Sequence, residues 1–451
     1  MEQFGLYLNL FAEIFIIHMK ERKTIHFITL GCSKNLVDSE HLMRQIELSG
    51  YKVTHNSDDI KSGSVIVNTC GFIKDAKQES IDTILELAEA KLEGKIQNLF
   101  VIGCLSELYK EELKKEIPEV DQFFGVNNFE NILKTIGIGF QRELLNERLQ
   151  TTPKHFAYLK VSEGCDRTCA FCSIPSIRGR HVSLPIEELK AEAQKLGNSG
   201  VKELILIAQD LTYYGLDIYK EQKLASLLEE LVEIKEIEWI RLHYAYPHRF
   251  PTDVIQVMKE NPKICRYLDI PFQHISNNVL KRMHRGNNKE QAIELIKSLR
   301  LEIPGIALRT TLLVGHPGET EQDFAELLDF VAETKFDRLG VFPYSHEEYS
   351  YSFINYKDDV DEDIKNERVD RIMELQRKIS EDINLKKVGK SFKIIIDRKE
   401  GDFWIGRTEF DSPEVDNEVL VPISNRVKIG NFYNINITSA NEYDLFGELI
   451  I

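Results

Sequence analysis

Short apolar runs alternate with helical patterns along most of this chain. Residues 23–140 contain three runs with strand character, TIHFITLGC, GSVIVNTC and NLFVIGC, and helical patterns separate them. Strands that alternate with helices form a parallel sheet, and all of its strands end at the same edge. Each run ends in a cysteine, at Cys32, Cys70 and Cys104. The pattern therefore predicts an α/β domain over residues 19–140 whose three distant cysteines meet at one sheet edge, the usual place for a site.

A second strand–helix array occupies residues 156–360. It contains six strand candidates: FAYLKV, ELILIAQ, WIRLHY, RYLDI, IALRTTLLV and RLGVFPY. Six such units are too few for a closed eight-fold barrel, so we expect an open, partial (β/α)6 barrel. The first of these strands leads directly into a cysteine-rich loop, which the topology puts at the C-terminal mouth of the barrel.

The remaining segments have different characters. Residues 141–155 are polar and predict a linker, and residues 361–385 predict a charged helical bridge. From 386 to 451, short β runs separated by Gly, Asp, Pro and Asn predict a small, OB-like β-barrel.

Residues 1–18 are apolar but short and interrupted by acids, which does not suit a signal peptide or a membrane span. We expect them to be an extension before a start-like Met19, or else an amphipathic helix packed on the domain.

Composition limits the class of protein. The chain has 451 residues, 42% of them hydrophobic and 29% charged, which suits a soluble cytoplasmic protein. Seven cysteines at uneven spacing do not suit a secreted disulfide framework, and clustered thiols in a reducing compartment indicate metal ligation or catalysis. The formal net charge of -16 argues against general affinity for nucleic acid backbones, although a local basic face could still bind one.

Three cysteines lie close together in EGCDRTCAFCSIPSIRGR, residues 163–180. Cys165, Cys169 and Cys172 have the spacing C-x3-C-x2-C. Thiolates bind soft metals and iron–sulfur clusters. With His181 as a fourth ligand, the three cysteines could hold zinc. In a 4Fe–4S cube, they would leave one iron open to bind a small molecule and pass it an electron, and Phe171 could then pack on an adenine ring.

The motif C-x3-C-x-aromatic-C after the first strand of a βα barrel resembles the radical S-adenosylmethionine (SAM) superfamily. Together with the three earlier cysteines and the β-barrel tail, it resembles the methylthiotransferases, which join a cysteine domain, a radical-SAM barrel and a TRAM domain. The resemblance covers residues 19–451. The phrases TLGCSKNLVDSE, EGCDRTCAFCSIPSIRGR, YLDIPFQHIS and GHPGET are similar to those of the branch that modifies ribosomal protein S-twelve (RimO type). The tRNA-modifying branch is less similar around Asp166 and Arg167.

The resemblance implies two 4Fe–4S clusters and a mechanism. Cys165, Cys169 and Cys172 would hold the cluster that binds and cleaves SAM, giving a radical that abstracts hydrogen from an unactivated C–H bond. Cys32, Cys70 and Cys104 would hold a second cluster that carries the sulfur, which a second SAM methylates. The implied product is a methylthio group on the β-carbon of an aspartate in the ribosomal protein. A flavodoxin or ferredoxin would donate electrons, and no membrane takes part.

For several other residues, the sequence allows either a functional role or a purely structural one. Gln209 and Asp210 end the second barrel strand, where the superfamily contacts the methionine group of SAM, or they cap the strand. Arg309 pairs with SAM or forms an ion pair in the barrel. Arg178 and Arg180 meet an acidic substrate loop or are solvated.

Two alternative functions stay open: a tRNA adenosine methylthiotransferase and a two-cluster electron carrier. From residue 386 onward, nine basic and eleven acidic residues give a net charge of -2. Because modules that bind RNA phosphates are normally basic, the tail predicts a protein partner instead.

Overall fold

The computed structural model describes residues 23–57, 60, 62–144 and 146–450. The predicted extension at residues 1–18 therefore lies outside the described residues. The chain divides into two compact units, Met1–Leu149 and Gln150–Ile451.

The first unit is built on a five-stranded parallel sheet with strand order β2-β1-β3-β4-β5. The strands are β1 (Thr24–Thr29), β2 (Lys52–His55), β3 (Ser64–Thr69), β4 (Asn98–Gly103) and β5 (Gln122–Phe123). The helices are α1 (Ser33–Leu48), α2 (Lys74–Leu92), α3 (Cys104–Glu116) and α4 (Phe129–Thr135). Successive residues of the central strands are buried on opposite faces, so both faces of the sheet are covered. This confirms the predicted α/β domain.

The polar segment after this sheet is not a free linker along its whole length. Gln141 exchanges backbone hydrogen bonds with the side-chain amide of Gln45, at 2.8 and 3.0 Å. The backbone N–H of Leu149 donates to the carbonyl of Glu40 at 3.0 Å, and Arg148 pairs with the Glu40 carboxylate. Gln141, Arg148 and Leu149 thus bind helix α1, which a polar composition did not predict.

The second unit contains a six-stranded parallel sheet with strand order β13-β12-β11-β10-β9-β6, which stays open. Its strands are β6 (Phe156–Lys160), β9 (Glu203–Ile207), β10 (Trp239–Leu242), β11 (Ile264–Asp269), β12 (Ala307–Val314) and β13 (Arg338–Pro343). The intervening helices are α5 (Ile174–Arg178), α6 (Ile186–Asn198), α7 (Leu224–Val232), α8 (Thr252–Glu260), α9 (Asn277–Arg282), α10 (Lys289–Glu302), α11 (Glu321–Thr334) and α12 (Tyr351–Asn355). All six predicted strands are present, and the partial barrel is confirmed.

Helix α13 (Glu362–Leu385) leads into a closed five-stranded barrel with strand order β14-β15-β16-β18-β17. Its strands are β14 (Ser391–Glu400), β15 (Phe403–Thr408), β16 (Glu418–Pro422), β17 (Phe432–Ala440) and β18 (Asp444–Leu449). This C-terminal barrel contacts residues at the starts of the sheet strands: Arg407 binds Glu203, and Asp411 binds Arg338. It therefore covers the amino-terminal side of the sheet, opposite the edge where the cysteine loop begins.

Candidate functional site

The cysteine loop projects from a short hairpin at the carboxyl end of β6. Strands β7 (Ser162–Glu163) and β8 (Val182–Ser183) pair antiparallel and bring the two ends of the loop together. Gly164 lies between them with φ of 73°, and a Cβ there would come within 2.0 Å of the Arg180 carbonyl oxygen. Only glycine fits so close an approach with that backbone conformation. The hairpin thus fixes where the loop leaves the sheet.

The tip of the loop is held by two other segments of the same unit. The backbone N–H of Ala170 donates to the carbonyl of Met283 at 2.9 Å. Its carbonyl accepts from the N–H of Ser352 at 2.7 Å. Both backbone groups of one residue between the cysteines are therefore satisfied by distant parts of the chain, which positions the flanking thiols.

The three thiols of the loop line one cavity of about 630 Å³. Tyr213, His284, Tyr349 and Tyr351 contribute to its walls, as does Arg180. Burial raises the pKa of the Cys165 thiol to about 11 and raises the pKa of Cys172 further still. Burial thus favours the neutral form of Cys165 and Cys172, and since a cluster binds thiolates, its binding would release protons.

The donor set fits an iron–sulfur cluster better than a single zinc ion. Among the residues that the structure describes, no three His, Cys, Asp or Glu side chains converge as the ligands of one metal ion do. In a four-iron cube each cysteine binds a different iron, so the sulfurs need not converge on one point. His181, the fourth ligand of the zinc alternative, does not line the cavity, and its Nε2 lies 2.9 Å from Ser183 Oγ.

Tyr213, Tyr246 and Arg285 surround this loop and contact its Arg167 or Cys169, and sequence reasoning missed these roles. The Arg167 guanidinium lies over the Tyr246 ring at 4.2 Å and over the Tyr213 ring at 5.2 Å. Arg285 lies on Tyr246 at 4.1 Å, and its Nη1 donates to Cys169 Sγ at 3.3 Å. Tyr213 and Tyr246 both follow barrel strands closely, which is the signal that could have indicated them.

The predicted strand-end residues have distinct environments. Asp210 is buried, accepts from the backbone N–H of Thr212 at 2.8 Å and accepts from Arg167 Nε at 2.7 Å. It therefore caps the turn after β9 and also holds the cysteine loop. Gln209 donates to Glu163 at 3.2 Å, and its Oε1 is buried with no hydrogen-bond partner among the described residues. An acceptor of this kind suits the amino group of a bound cofactor.

The cofactor contacts of Phe171 and Arg309 stay predictions. Phe171 is between two of the cysteines but is not among the residues that line the cavity. Arg309 lies near the start of β12, where its guanidinium contacts Asp269 at 3.2 Å and Asp416 at 3.4 Å. The ion-pair alternative describes this environment, and the contact between Arg309 and the cofactor stays a prediction.

The cysteines of the first unit also lie at one sheet edge. Cys32 precedes α1, Cys70 follows β3, and Cys104 begins α3; strands β1, β3 and β4 are neighbours in the sheet. Gly31 packs so closely on Cys70 that a Cβ at Gly31 would come within 2.7 Å of the Cys70 Cβ.

Buried Asn35 connects the three segments that carry these cysteines. Its amide donates to the carbonyls of Leu30 and Thr69, at 3.0 and 3.1 Å, and its Oδ1 accepts from Cys104 Sγ at 3.8 Å. Sequence reasoning did not single out Asn35, although it stands three residues after Cys32.

An open parallel sheet whose first loop brings C-x3-C-x2-C into a cavity at its carboxyl edge defines a radical-SAM enzyme. Residues 159–331 match the Radical SAM superfamily, whose members use SAM and a 4Fe–4S cluster. Residues 24–125 match "Uncharacterized protein family UPF0004", and residues 388–450 match the TRAM domain.

Curated relatives narrow this class further. A protein of Flavobacterium johnsoniae named "Ribosomal protein uS12 methylthiotransferase RimO" is 56% identical over 430 residues, covering 95% of this chain and 98% of that one. Proteins with the same name from Bacteroides fragilis and Phocaeicola vulgatus are 55% and 53% identical, each covering 95% of this chain and 100% of its own length. The chain belongs to the RimO family of radical-SAM methylthiotransferases.

Solved structures agree on the fold. The radical-SAM methyltransferase TsrM of Kitasatospora setae has a TM-score of 0.52 at 13% identity, covering 74% of this chain and 77% of that one. The cobalamin-dependent radical-SAM enzyme OxsB has a TM-score of 0.51 at 16% identity, covering 78% of this chain and 56% of that one. Separately, no helix in the described part of the chain is long and apolar enough to cross a membrane.

Proposed function

We propose that this enzyme transfers a methylthio group to the β-carbon of an aspartate in ribosomal protein uS12, in the cytoplasm. The observation that carries the proposal is the 56% identity, over 95% of this chain, to a protein named for that activity. The cavity at Cys165, Cys169 and Cys172 supports this proposal, because the three thiols line it and it is open to solvent.

In this proposal, Cys165, Cys169 and Cys172 hold the cluster at which SAM binds. When bound, the two groups supply the one-electron chemistry that activates an unreactive C–H bond. The contribution of the protein is to hold the cysteine loop in position. Asp210 holds Arg167, and Arg167 packs between Tyr213 and Tyr246, so the loop that carries the cysteines is fixed against two strand ends.

The cavity walls provide contacts for the substrate. Tyr349 and Tyr351 line it and are each 46% exposed, and the His284 ring packs on Tyr351 with centroids 4.4 Å apart. Aromatic side chains offer a large, stiff contact area at small cost in conformational entropy. We assign this wall, together with the exposed Arg180, to the protein loop that presents the aspartate.

A second 4Fe–4S cluster at Cys32, Cys70 and Cys104 would carry the sulfur to be transferred. The proposal is supported by their shared sheet edge and by Asn35, which binds the segments around all three. Cys32 and Cys104 also stand at the N-termini of α1 and α3, and the helix dipole favours negative charge there. A small low-potential protein of the flavodoxin or ferredoxin type would supply the electrons.

The experiment separates the two cysteine sets by substitution. Cys169→Ala removes a ligand at the SAM site and should abolish reductive cleavage of SAM. Cys70→Ala leaves that site intact, so cleavage should remain measurable while methylthiolated uS12 is no longer formed. Both are measured by chromatography of the cleavage product and mass spectrometry of uS12.

Cys265→Ala is the matched control, because Cys265 is a buried thiol of strand β11 outside both sets. It should keep cleavage and product. Full product from Cys70→Ala enzyme that retains the SAM-site cluster would disprove the role of the first cysteine set.

A further inference from the structure

The sulfur of Cys169 has a cationic hydrogen-bond donor. Arg285 Nη1 lies 3.3 Å from Cys169 Sγ, within hydrogen-bonding range for sulfur. The Tyr246 hydroxyl lies 3.8 Å from the same sulfur. For comparison, Cys165 Sγ accepts from the backbone N–H of Arg167 at 3.4 Å, which brings no charge.

The position of Arg285 is fixed by contacts on three sides. Its Nη2 donates to the carbonyl of Pro271 at 2.6 Å, just beyond strand β11. Its guanidinium lies 4.1 Å from the centre of the Tyr246 ring, and the next backbone N–H, at Gly286, donates to the Tyr246 hydroxyl at 3.3 Å. Only 9% of Arg285 is exposed to solvent. Because this charge is fixed in place and shielded from water, its electrostatic interaction with neighbouring groups is strong.

Hydrogen bonds to cysteine sulfurs, net charge and solvent exposure set the reduction potential of an iron–sulfur cluster. Reduction adds one electron and no proton, so the reduced cluster carries one more negative charge. A cation that donates to a ligand sulfur stabilises that reduced form more than the oxidised form. Its presence therefore raises the midpoint potential.

We propose that Arg285 is a positioning residue that raises the reduction potential of the cluster bound by Cys169, so that the cellular electron donor can reduce it. The inference rests on the proposed function, in which Cys165, Cys169 and Cys172 hold that cluster. Tyr246 assists by packing on the guanidinium.

The test is a potentiometric titration followed by electron paramagnetic resonance, with dithionite or titanium(III) citrate as reductant. Cys32→Ala, Cys70→Ala and Cys104→Ala are combined in every sample, so that only the SAM-site cluster contributes. Arg285→Gln removes the charge and should lower the ratio of reduced to oxidised cluster at a fixed potential about tenfold. For a one-electron couple that is a shift of about 59 mV to lower potential. Arg285→Lys keeps the charge and should shift less.

Arg282→Gln is a matched control from the same segment. Arg282 Nε also donates to a proline carbonyl, that of Pro317, at 2.6 Å, and its guanidinium also lies on a tyrosine, Tyr356, at 4.4 Å. The two arginines differ in that Arg285 donates to Cys169 and Arg282 does not. The control should therefore leave the midpoint potential unchanged.

Equal midpoint potentials for Arg285→Gln, Arg282→Gln and the parent would overturn the inference while leaving the proposed function intact. If neither Arg285 variant binds iron and Arg282→Gln does, Arg285 serves cluster assembly, and the inference is likewise wrong. A parent protein with no reducible cluster would instead contradict the proposed function.

Discussion

Two arginines of the cysteine loop, two positions apart, have opposite environments. Arg178 is buried and donates to both oxygens of Glu163, at 2.9 and 3.0 Å. Burial alone would raise the pKa of Glu163, but Lys160 and Arg178 more than offset it and hold that pKa at about 2. Arg180 is exposed and lines the cavity. Arg178 therefore stabilises the loop, whereas Arg180 is available to a carboxylate from outside.

Arg180→Ala should raise KM for uS12 about ten- to a hundredfold, since a charge-assisted hydrogen bond contributes about 1.5–3 kcal/mol. Cleavage of SAM without uS12 should change little. Steady-state kinetics with reduced enzyme measures both quantities. Lys259→Ala, which removes an exposed cation outside the cavity, is the control. An unchanged KM for Arg180→Ala would show that this guanidinium does not meet the substrate.

The cysteines were predictable from sequence because their signal is local: a fixed spacing, or a position at the end of an apolar run. The contacts of Arg285 and Tyr246 with Cys169 were not predictable, because these residues reach it from distant segments: Arg285 follows helix α9, and Tyr246 follows strand β10. The ion pairs of Arg309 could not be predicted from the sequence either. One of its carboxylate partners, Asp416, belongs to the C-terminal barrel, so its contacts depend on how that barrel docks on the sheet.

At the scale of elements, buried ion pairs join the C-terminal barrel to the six-stranded sheet. Arg407 of β15 donates to Glu203 of β9 at 2.8 Å and to Asp397 of β14 at 2.6 Å. Arg241 binds the other oxygen of Glu203 at 2.8 Å. Glu203 and Arg241 are fully buried and Arg407 is nearly so, which means that each charge depends on its partners.

Arg407→Ala should reduce the free energy of unfolding by about 3–5 kcal/mol, because it leaves Glu203 and Asp397 with fewer partners in a buried place. Arg398→Ala is the matched control from β14. Arg398 is 46% exposed and pairs with Glu418 and Glu400, so its loss should cost less than about 1 kcal/mol. Urea denaturation of both variants gives the comparison. Equal losses would mean that the buried pairs do not hold the barrel on the sheet.

The elements that sequence predicted are those with long apolar runs between turn residues. The missed strands lack that signal. Strand β2 (KVTH) is short, polar and at a sheet edge, β5 has two residues, and β18 (DLFGEL) contains two acids and a glycine. Such strands form because neighbouring strands offer hydrogen-bond partners, which is tertiary information.

At the scale of the molecule, charge favours a basic protein partner. The chain carries a formal net charge of -16. Of the nine basic residues from 386 onward, Arg407, Arg398 and Lys393 are bound to carboxylates. The eleven acidic residues from 386 onward outnumber these nine, so the C-terminal barrel has no excess of cations for phosphates, whereas an acidic surface attracts a lysine- and arginine-rich ribosomal protein.

The full chain should bind purified uS12 more tightly than bulk tRNA at physiological salt. Fluorescence anisotropy with each labelled partner, repeated at rising salt, measures both affinities. A steep loss of tRNA binding with salt would identify that binding as non-specific contact with phosphates. Tight tRNA binding at physiological salt, with no measurable affinity for uS12, would favour the tRNA-modifying alternative.

The most direct test of the proposed function is mass spectrometry of uS12 and of tRNA from matched cells. One culture expresses this enzyme, and the other expresses its Cys169→Ala variant in its place. We predict that one aspartate of uS12 carries a methylthio group only with the parent enzyme, and that tRNA nucleosides are the same in both cultures. Unmodified uS12 in both, with methylthiolated adenosine in tRNA only where the parent enzyme is present, would contradict the proposed function.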